Sequence, residues 1–157
     1  MQENDRSSSE KIANELRAQI LSGQRLPGSR ILQENIAEEF GASRLPVRDA
    51  LRRLQVDGLV TIVANTGAWV SKLTKSECED AYQIRERLEP LLMRQSVERM
   101  PEQTIGELSM LLDQMEASDD VETFLRLDRD FHLLAYSFAP KGMIKDLVDR
   151  LWNTTQH

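Results

Sequence analysis

Cysteine occurs once, at Cys78, so no disulfide within the chain is available to staple a fold. That suits a reducing, cytoplasmic setting, and the lone thiol reads as an inert helix position. Aromatic residues make up only 5% of the 157, which leaves a core of Leu, Ile, Val, Ala and Met. No apolar run approaches the length of a membrane span, and no signal-peptide h-region is present. A nucleophile–base pair, a phosphate-binding loop and a complete metal cluster are also missing, so catalysis is not expected. What remains is ordinary for a globular protein: 40% hydrophobic and 29% charged residues.

Charge is unevenly placed. Residues 1–73 hold 10 Lys and Arg against 9 Asp and Glu, a net of +1. Residues 74–157 hold 10 against 17, a net of −7, and together they give the overall −6. A near-neutral head with clustered arginines, joined to an acidic body, points to two units with different partners.

The run GASRLPVRDALRRLQVDGL at residues 41–59 organises the head. As one helix starting after Ser43, it places Val47, Ala50, Leu51 and Leu54 on a core-facing stripe. Arg44, Arg48 and Arg52 form a second stripe, about 110–130° away at the helical period. Ser43 suits the N-cap, Pro46 is tolerated in the first turn, and Asp57 with Gly58 closes the helix. Guanidinium groups in a row at a helix's N-terminal end fit guanine edges in a major groove. The same pattern also fits a solvated amphipathic helix.

The neighbouring segments bear on that choice. Ser7 and Glu10 have capping-box spacing, and Ile12, Ala13, Leu16 and Ile20 repeat helically as far as Gly23. Leu26, Pro27 and Gly28 form a turn, and Ile31 a short strand. Leu32, Ile36, Ala37 and Phe40 make a second short helix, ended by Gly41. Short helix, tight glycine turn, second helix: this is the helix-turn-helix pattern. Residues 59–63 and 68–71 are β-prone and flank Ala64, Asn65, Thr66 and Gly67, which predicts a hairpin. Placed after a recognition helix, such a hairpin is a wing that reaches toward DNA, or else one that only closes the small core.

Beyond Leu73 everything reads helical. Thr74 and Glu77 have capping-box spacing, and Ala81, Ile84, Leu88 and Leu91 continue at helical intervals, with Pro90 expected to kink the helix. Ile105, Leu108, Leu111, Leu112 and Met115 mark the next helix. A third presents Val121, Phe124, Leu125, Phe131, Ala135 and Phe138 as its apolar face. Ile144, Leu147, Val148 and Leu151 mark a fourth. Asp128 and His132 fall in the middle of the third helix's apolar face, one turn apart. A buried carboxylate and imidazole require partners. Spaced i, i+4, the two can offer ligands to one divalent metal, or simply hydrogen-bond within a satisfied core.

These motifs together resemble the GntR-type family of bacterial transcription regulators. The head carries ILSG at residues 20–23, LPGSRI at 26–31, IAEEFGASRLPVRDAL at 36–51, DGLV at 57–60 and GAWV at 67–70. The body resembles the family's helical FCD class through IRERLEP at 84–90 and DRDFH at 128–132. The polar N-terminus is expected to be a disordered arm at 1–8, and the resemblance implies a mainly α protein: a winged helix-turn-helix domain at 9–73, then a partial all-α bundle at 74–157. It implies a homodimer on a palindromic double-stranded DNA operator, no membrane, and a small organic-acid effector, often with a divalent metal such as Zn or Ni. Carried over, Arg44 and Arg48 read bases, with Leu45 and Arg52 beside them. Ser43 and Arg30 match phosphate-contacting or orienting positions, and Asn65, Thr66 and Gly67 the wing tip. Asp128 and His132 match two metal ligands, and Arg85 an arginine facing the effector.

Three departures stand out. Leu32 occupies a place where a polar N-cap is usual, so the second helix should start less firmly. Leu45 replaces a common Thr or Ser, exchanging a hydroxyl contact for an apolar one. The family's body has about six or seven helices where this one has room for four, and two further ligating histidines would lie past residue 157; His157 is too close to replace them. The expectation is a ligand-responsive regulator, in the first instance a repressor. The alternatives are a constitutive DNA-binding fragment lacking a working sensor, and a metal-binding helical enzyme or storage protein with a non-DNA-binding head.

Overall fold

Gly41 sets the course of the chain through the head. It adopts φ +57°, a left-handed conformation that costs a side-chain-bearing residue about 1–2 kcal/mol. In the computed structural model, which describes residues 2–155, helix α2 (Gln33–Glu39) ends there in a Schellman pair of hydrogen bonds. Gly41 N donates to Glu38 O at 3.2 Å and Ala42 N to Ala37 O at 2.9 Å. Helix α3 (Arg44–Val56) follows at once and ends the same way. Gly58, at φ +79°, donates to Gln55 O, and Leu59 donates to Leu54 O.

Helix α1 (Gln2–Leu21) precedes them. Residues 2–8 are therefore helical and not the disordered arm expected of 1–8; Met1 lies outside the described residues. No glycine or proline stands before Ser7, so nothing in the sequence stops the helix from extending upstream of the Ser7 cap. Strand β1 (Arg30–Ile31) joins the hairpin of β2 (Val60–Val63) and β3 (Gly67–Val70) in an antiparallel sheet of order β1-β3-β2. Arg30 pairs with Trp69, and Val60 with Val70. The core of this unit collects the predicted stripes: Ile12, Leu16 and Ile20 of α1, Ile36 of α2, and Val47, Ala50, Leu51 and Leu54 of α3, with Ile31, Leu59, Ala68 and Val70.

The chain divides into two compact units, the second spanning Glu79–Trp152. Four helices follow the hairpin: α4 (Lys75–Val97), α5 (Glu102–Glu116), α6 (Val121–Tyr136) and α7 (Met143–Thr155). The capping box predicted for α4 forms in both directions: Thr74 N donates to Glu77 Oε2 at 2.7 Å, and Glu77 N to Thr74 Oγ1 at 3.3 Å. Pro90 lies inside α4 on its exposed side. Asp120 caps α6 by accepting from Thr123 N at 2.8 Å. Leu92, Ala135, Tyr136, Ala139, Val148 and Trp152 form the core here, with Leu88, Met93, Leu108 and Ile144 packed against it.

Candidate nucleic-acid interface and a buried polar cluster

The two stripes of α3 separate as the sequence requires. Pro46, Val47, Ala50, Leu51 and Leu54 are buried, while Ser43, Arg44, Leu45, Arg48 and Arg52 are exposed. The Arg44 side chain is 76% exposed and meets Glu34 of α2 at 3.3 Å. Arg52 reaches Asp49 at 3.9 Å. Exposed ion pairs of this kind contribute about 0–1 kcal/mol, so both guanidiniums are easily surrendered to a stronger anion. Ser43 holds the N-cap position with an extended backbone, but its side chain makes no cap hydrogen bond. The hydroxyl thus does not do the capping expected of it. Leu32 at the N-cap of α2 likewise supplies no side-chain bond, as its side chain dictates.

The wing tip is a turn at Ala64, Asn65 and Thr66, with Asn65 in the left-handed region at φ +58° and Thr66 N donating to Val63 O at 3.1 Å. Arg30 is built into it. Its Nη2 donates to Thr66 O at 3.0 Å, and its guanidinium carbon lies 5.7 Å from the centroid of the Trp69 ring. Gly67 sits beneath that crossing: a Cβ there would meet the Trp69 ring at 3.3 Å and Arg30 Nε at 3.4 Å. Arg30 therefore orients the wing. The sequence placed Arg30 and Gly67 among the DNA-facing positions without showing that they touch.

In the second unit the structure brings Arg85, Asp128 and His132 into one cluster. Arg85 is 8% exposed and donates from Nε to Glu89 Oε1 at 2.7 Å. Its guanidinium carbon stands 4.9 Å from the Tyr82 ring centroid and 3.8 Å from that of Trp152. Tyr136 Oη donates to Glu89 Oε2 at 3.1 Å and lies 3.1 Å from His132 Nδ1. His132 Nε2 is 3.4 Å from Asp128 Oδ1. The imidazole packs at 4.9 Å from the Trp152 ring and edge-on to Phe131 at 5.3 Å. Burial first, and then the neighbouring Glu89 carboxylate, push the Tyr136 phenol well above its usual range, so it keeps its proton.

The apolar face predicted for α6 is corrected. Val121, Phe124 and Leu125 are exposed, and the buried residues are Leu127, Ala135 and Tyr136. The inward stripe is rotated because Tyr136, uncounted among the apolar positions, is its largest member. Asp128 and His132 consequently lie at the border of the stripe, 28% and 30% exposed. Sequence reasoning missed Glu89, Tyr136 and Trp152. The first two had a signal: Glu89 follows Arg85 by four residues, and Asp128, His132 and Tyr136 run at i, i+4, i+8 on one face. Trp152 comes from α7, and no local spacing ties it to the others.

Asp128 and His132 fit a divalent metal as two neighbouring ligands. Metal–nitrogen and metal–oxygen bonds of about 2.0–2.1 Å at a tetrahedral angle separate the donors by about 3.3–3.4 Å. The observed separation is 3.4 Å. Among the described residues no group of three or more His, Cys, Asp or Glu is placed to hold a metal.

Residues 8–70 match the family described as bacterial regulatory proteins, gntR family, and residues 80–157 match the FCD domain. The chain is 31% identical over 143 residues to YdhC of Bacillus subtilis, an uncharacterised HTH-type transcriptional regulator, covering 88% of this chain and 63% of that one. It is 33% identical over 150 residues to the gluconate operon transcriptional repressor of the same organism, covering 94% and 60%. The structure of Escherichia coli McbR/YncC superposes with a TM-score of 0.76 at 27% identity, covering 93% of this chain and 70% of that one. The chain thus spans less than two thirds of the length of these two Bacillus relatives.

Proposed function

Since the chain belongs to the bacterial GntR family, with an FCD domain as its second half, we propose that it acts as a sequence-specific DNA-binding transcriptional repressor whose helical unit senses a small organic acid. The observation that carries the DNA half is the exposed row of Arg44, Arg48 and Arg52 on a helix whose opposite stripe is buried. Arg44 and Arg48 at the N-terminal end of α3 read guanine edges, with Leu45 packing on the groove floor and Ser43 on a phosphate. Asn65 and Thr66 bring the wing tip to the neighbouring backbone, held there by Arg30.

One recognition helix spans only a few base pairs, too few for operator-level specificity, so the working form is a homodimer on a palindrome. The names of its relatives, one of them a repressor, support regulation and not catalysis. In the helical unit Arg85, ion-paired with Glu89, and His132 both pack against the Trp152 ring, which places cationic and imidazole groups in one cluster. That suits a carboxylate-bearing effector. Asp128 and His132 would hold a divalent metal, Zn or Ni, which would supply a Lewis-acid anchor for the effector. No described helix is long and apolar enough to cross a membrane.

Selection of bound duplexes from a random DNA pool tests this reading. The expected result is a two-fold symmetric consensus. Recovery of unenriched sequence would overturn it, and enrichment of a single half-site would overturn the dimer.

A further inference from the structure

The hydrogen-bond directions around His132 are fixed by what each neighbour can donate. Arg85 has only donors, and its Nε occupies Glu89 Oε1 at 2.7 Å. Glu89, ion-paired with Arg85, is a carboxylate and only accepts. Its second oxygen, Oε2, takes the phenolic proton of Tyr136 at 3.1 Å. Tyr136 has one proton to give and has given it, so toward His132 Nδ1, 3.1 Å away, its oxygen can only accept. The proton on that contact must therefore be the imidazole's.

We propose that Tyr136 is a positioning residue for His132: with its own proton committed to Glu89, it holds the imidazole as the Nδ1–H tautomer and turns the Nε2 lone pair toward Asp128. The relay runs from Arg85 through Glu89 and Tyr136 to the ring. Burial keeps the phenol protonated, and Trp152 and Phe131 flank the imidazole, limiting its rotation.

The consequence lies at the far side of the ring. An Nε2 lone pair faces a carboxylate oxygen at 3.4 Å, two electron-rich atoms with no proton between them. Such a pair is unfavourable when empty and favours a cation. A histidine that ligates a metal through one nitrogen usually donates from the other to a carboxylate, a carbonyl or water, which sets its tautomer. Here a phenol takes that place and passes the interaction on to Glu89. Without the tyrosine hydroxyl, the Asp128 carboxylate, 3.4 Å from Nε2, is the acceptor left facing the ring among the described residues. The imidazole would then carry its proton on Nε2, and a metal would have to displace it. The tautomer is a property of the chain alone; only its use rests on the metal reading given above.

Long-range proton–nitrogen correlation NMR on the metal-free 157-residue chain reads the tautomer directly. His157 is the other histidine, and His157→Gln leaves a single imidazole to assign. Measured at alkaline pH, the parent should show Nδ1 protonated and Nε2 bare. Tyr136→Phe should shift the proton to Nε2, whereas Phe131→Leu, which touches the ring without a hydrogen bond, should not. In parallel, titration with nickel ion alone should show Tyr136→Phe weakening binding about 10–100-fold. A parent ring protonated on Nε2 overturns the proposal without recourse to any variant, as does a tautomer unchanged by Tyr136→Phe. An Nδ1–H parent that Tyr136→Phe reverses upholds it even if nickel fails to bind, and that failure would count against the metal reading alone.

Discussion

The guanidinium carbon of Arg85 stands 3.8 Å from the centroid of the Trp152 ring, joining helices 67 residues apart in sequence around one cation–π contact. The indole is 3% exposed, and among the described residues its Nε1 has no hydrogen-bond partner. A buried N–H left unsatisfied costs about 1–3 kcal/mol. The ring's packing outweighs that cost, since its removal would open a large cavity beneath Arg85 and His132. Trp152→Ala should therefore destabilise the helical unit by about 3–5 kcal/mol. Trp152→Phe, which discards the orphan N–H along with part of the ring, should cost clearly less. Urea denaturation followed by circular dichroism distinguishes them; equal losses would show that ring packing is not what stabilises the unit at this position.

Two glycines should respond to alanine with opposite signs. Gly41 holds φ +57°, and a Cβ there meets nothing within 4 Å, so only the backbone objects. Gly41→Ala should destabilise the head by about 1–2 kcal/mol. Gly106 lies inside α5, also with open space around its missing Cβ. There the substitution should stabilise by about 0.5–1 kcal/mol. Thermal melts of the two variants make the comparison, and a stabilised Gly41→Ala would remove the left-handed turn from the explanation of the helix-turn-helix geometry.

The acid limb of stability has identifiable sources. Glu77 is held below its ordinary carboxyl range, chiefly by the Thr74 backbone N–H and then by the Thr74 hydroxyl. Asp120 is lowered in the same way by Thr123. For a carboxyl whose folded pKa is depressed, the stabilisation is present above the unfolded value, 4.5 for Glu77 and 3.8 for Asp120. It is lost as pH falls through the folded value. The melting temperature should thus decline below about pH 4.5, and Glu77→Gln should make that decline shallower. An unchanged slope would show that the capping box is not formed in solution.

Arg30 should behave unlike the arginines of α3. It spends one N–H on the Thr66 carbonyl and lies over Trp69, so its removal loosens the wing. Arg30→Ala is expected to weaken binding to all DNA sequences alike and to raise hydrogen exchange at residues 64–66. Loss confined to the selected operator would instead make Arg30 a base reader.

The head was legible because its determinants are local. Gly41 and Gly58 each sit where a helix must stop, and the spacing of Val47, Ala50, Leu51 and Leu54 matches one face of one helix. The cluster in the body was only half legible. Asp128 and His132 are four residues apart and could be paired on paper, yet the residue that orients them acts through Glu89, 47 positions from Tyr136. The face of α6 was misjudged for a related reason. Hydrophobicity ranks Phe124 above Tyr136, but tertiary packing buried the residue whose hydroxyl had a partner waiting.

The most direct measurement is the affinity of the full chain, and of its Arg44→Ala and Arg48→Ala variants, for the selected operator and for random duplex at one fixed salt concentration. Base reading by α3 predicts that each substitution costs about 1–3 kcal/mol on the operator and much less on random DNA. Equal losses on the two DNAs would make both arginines phosphate anchors and contradict the assignment of α3 as the recognition helix.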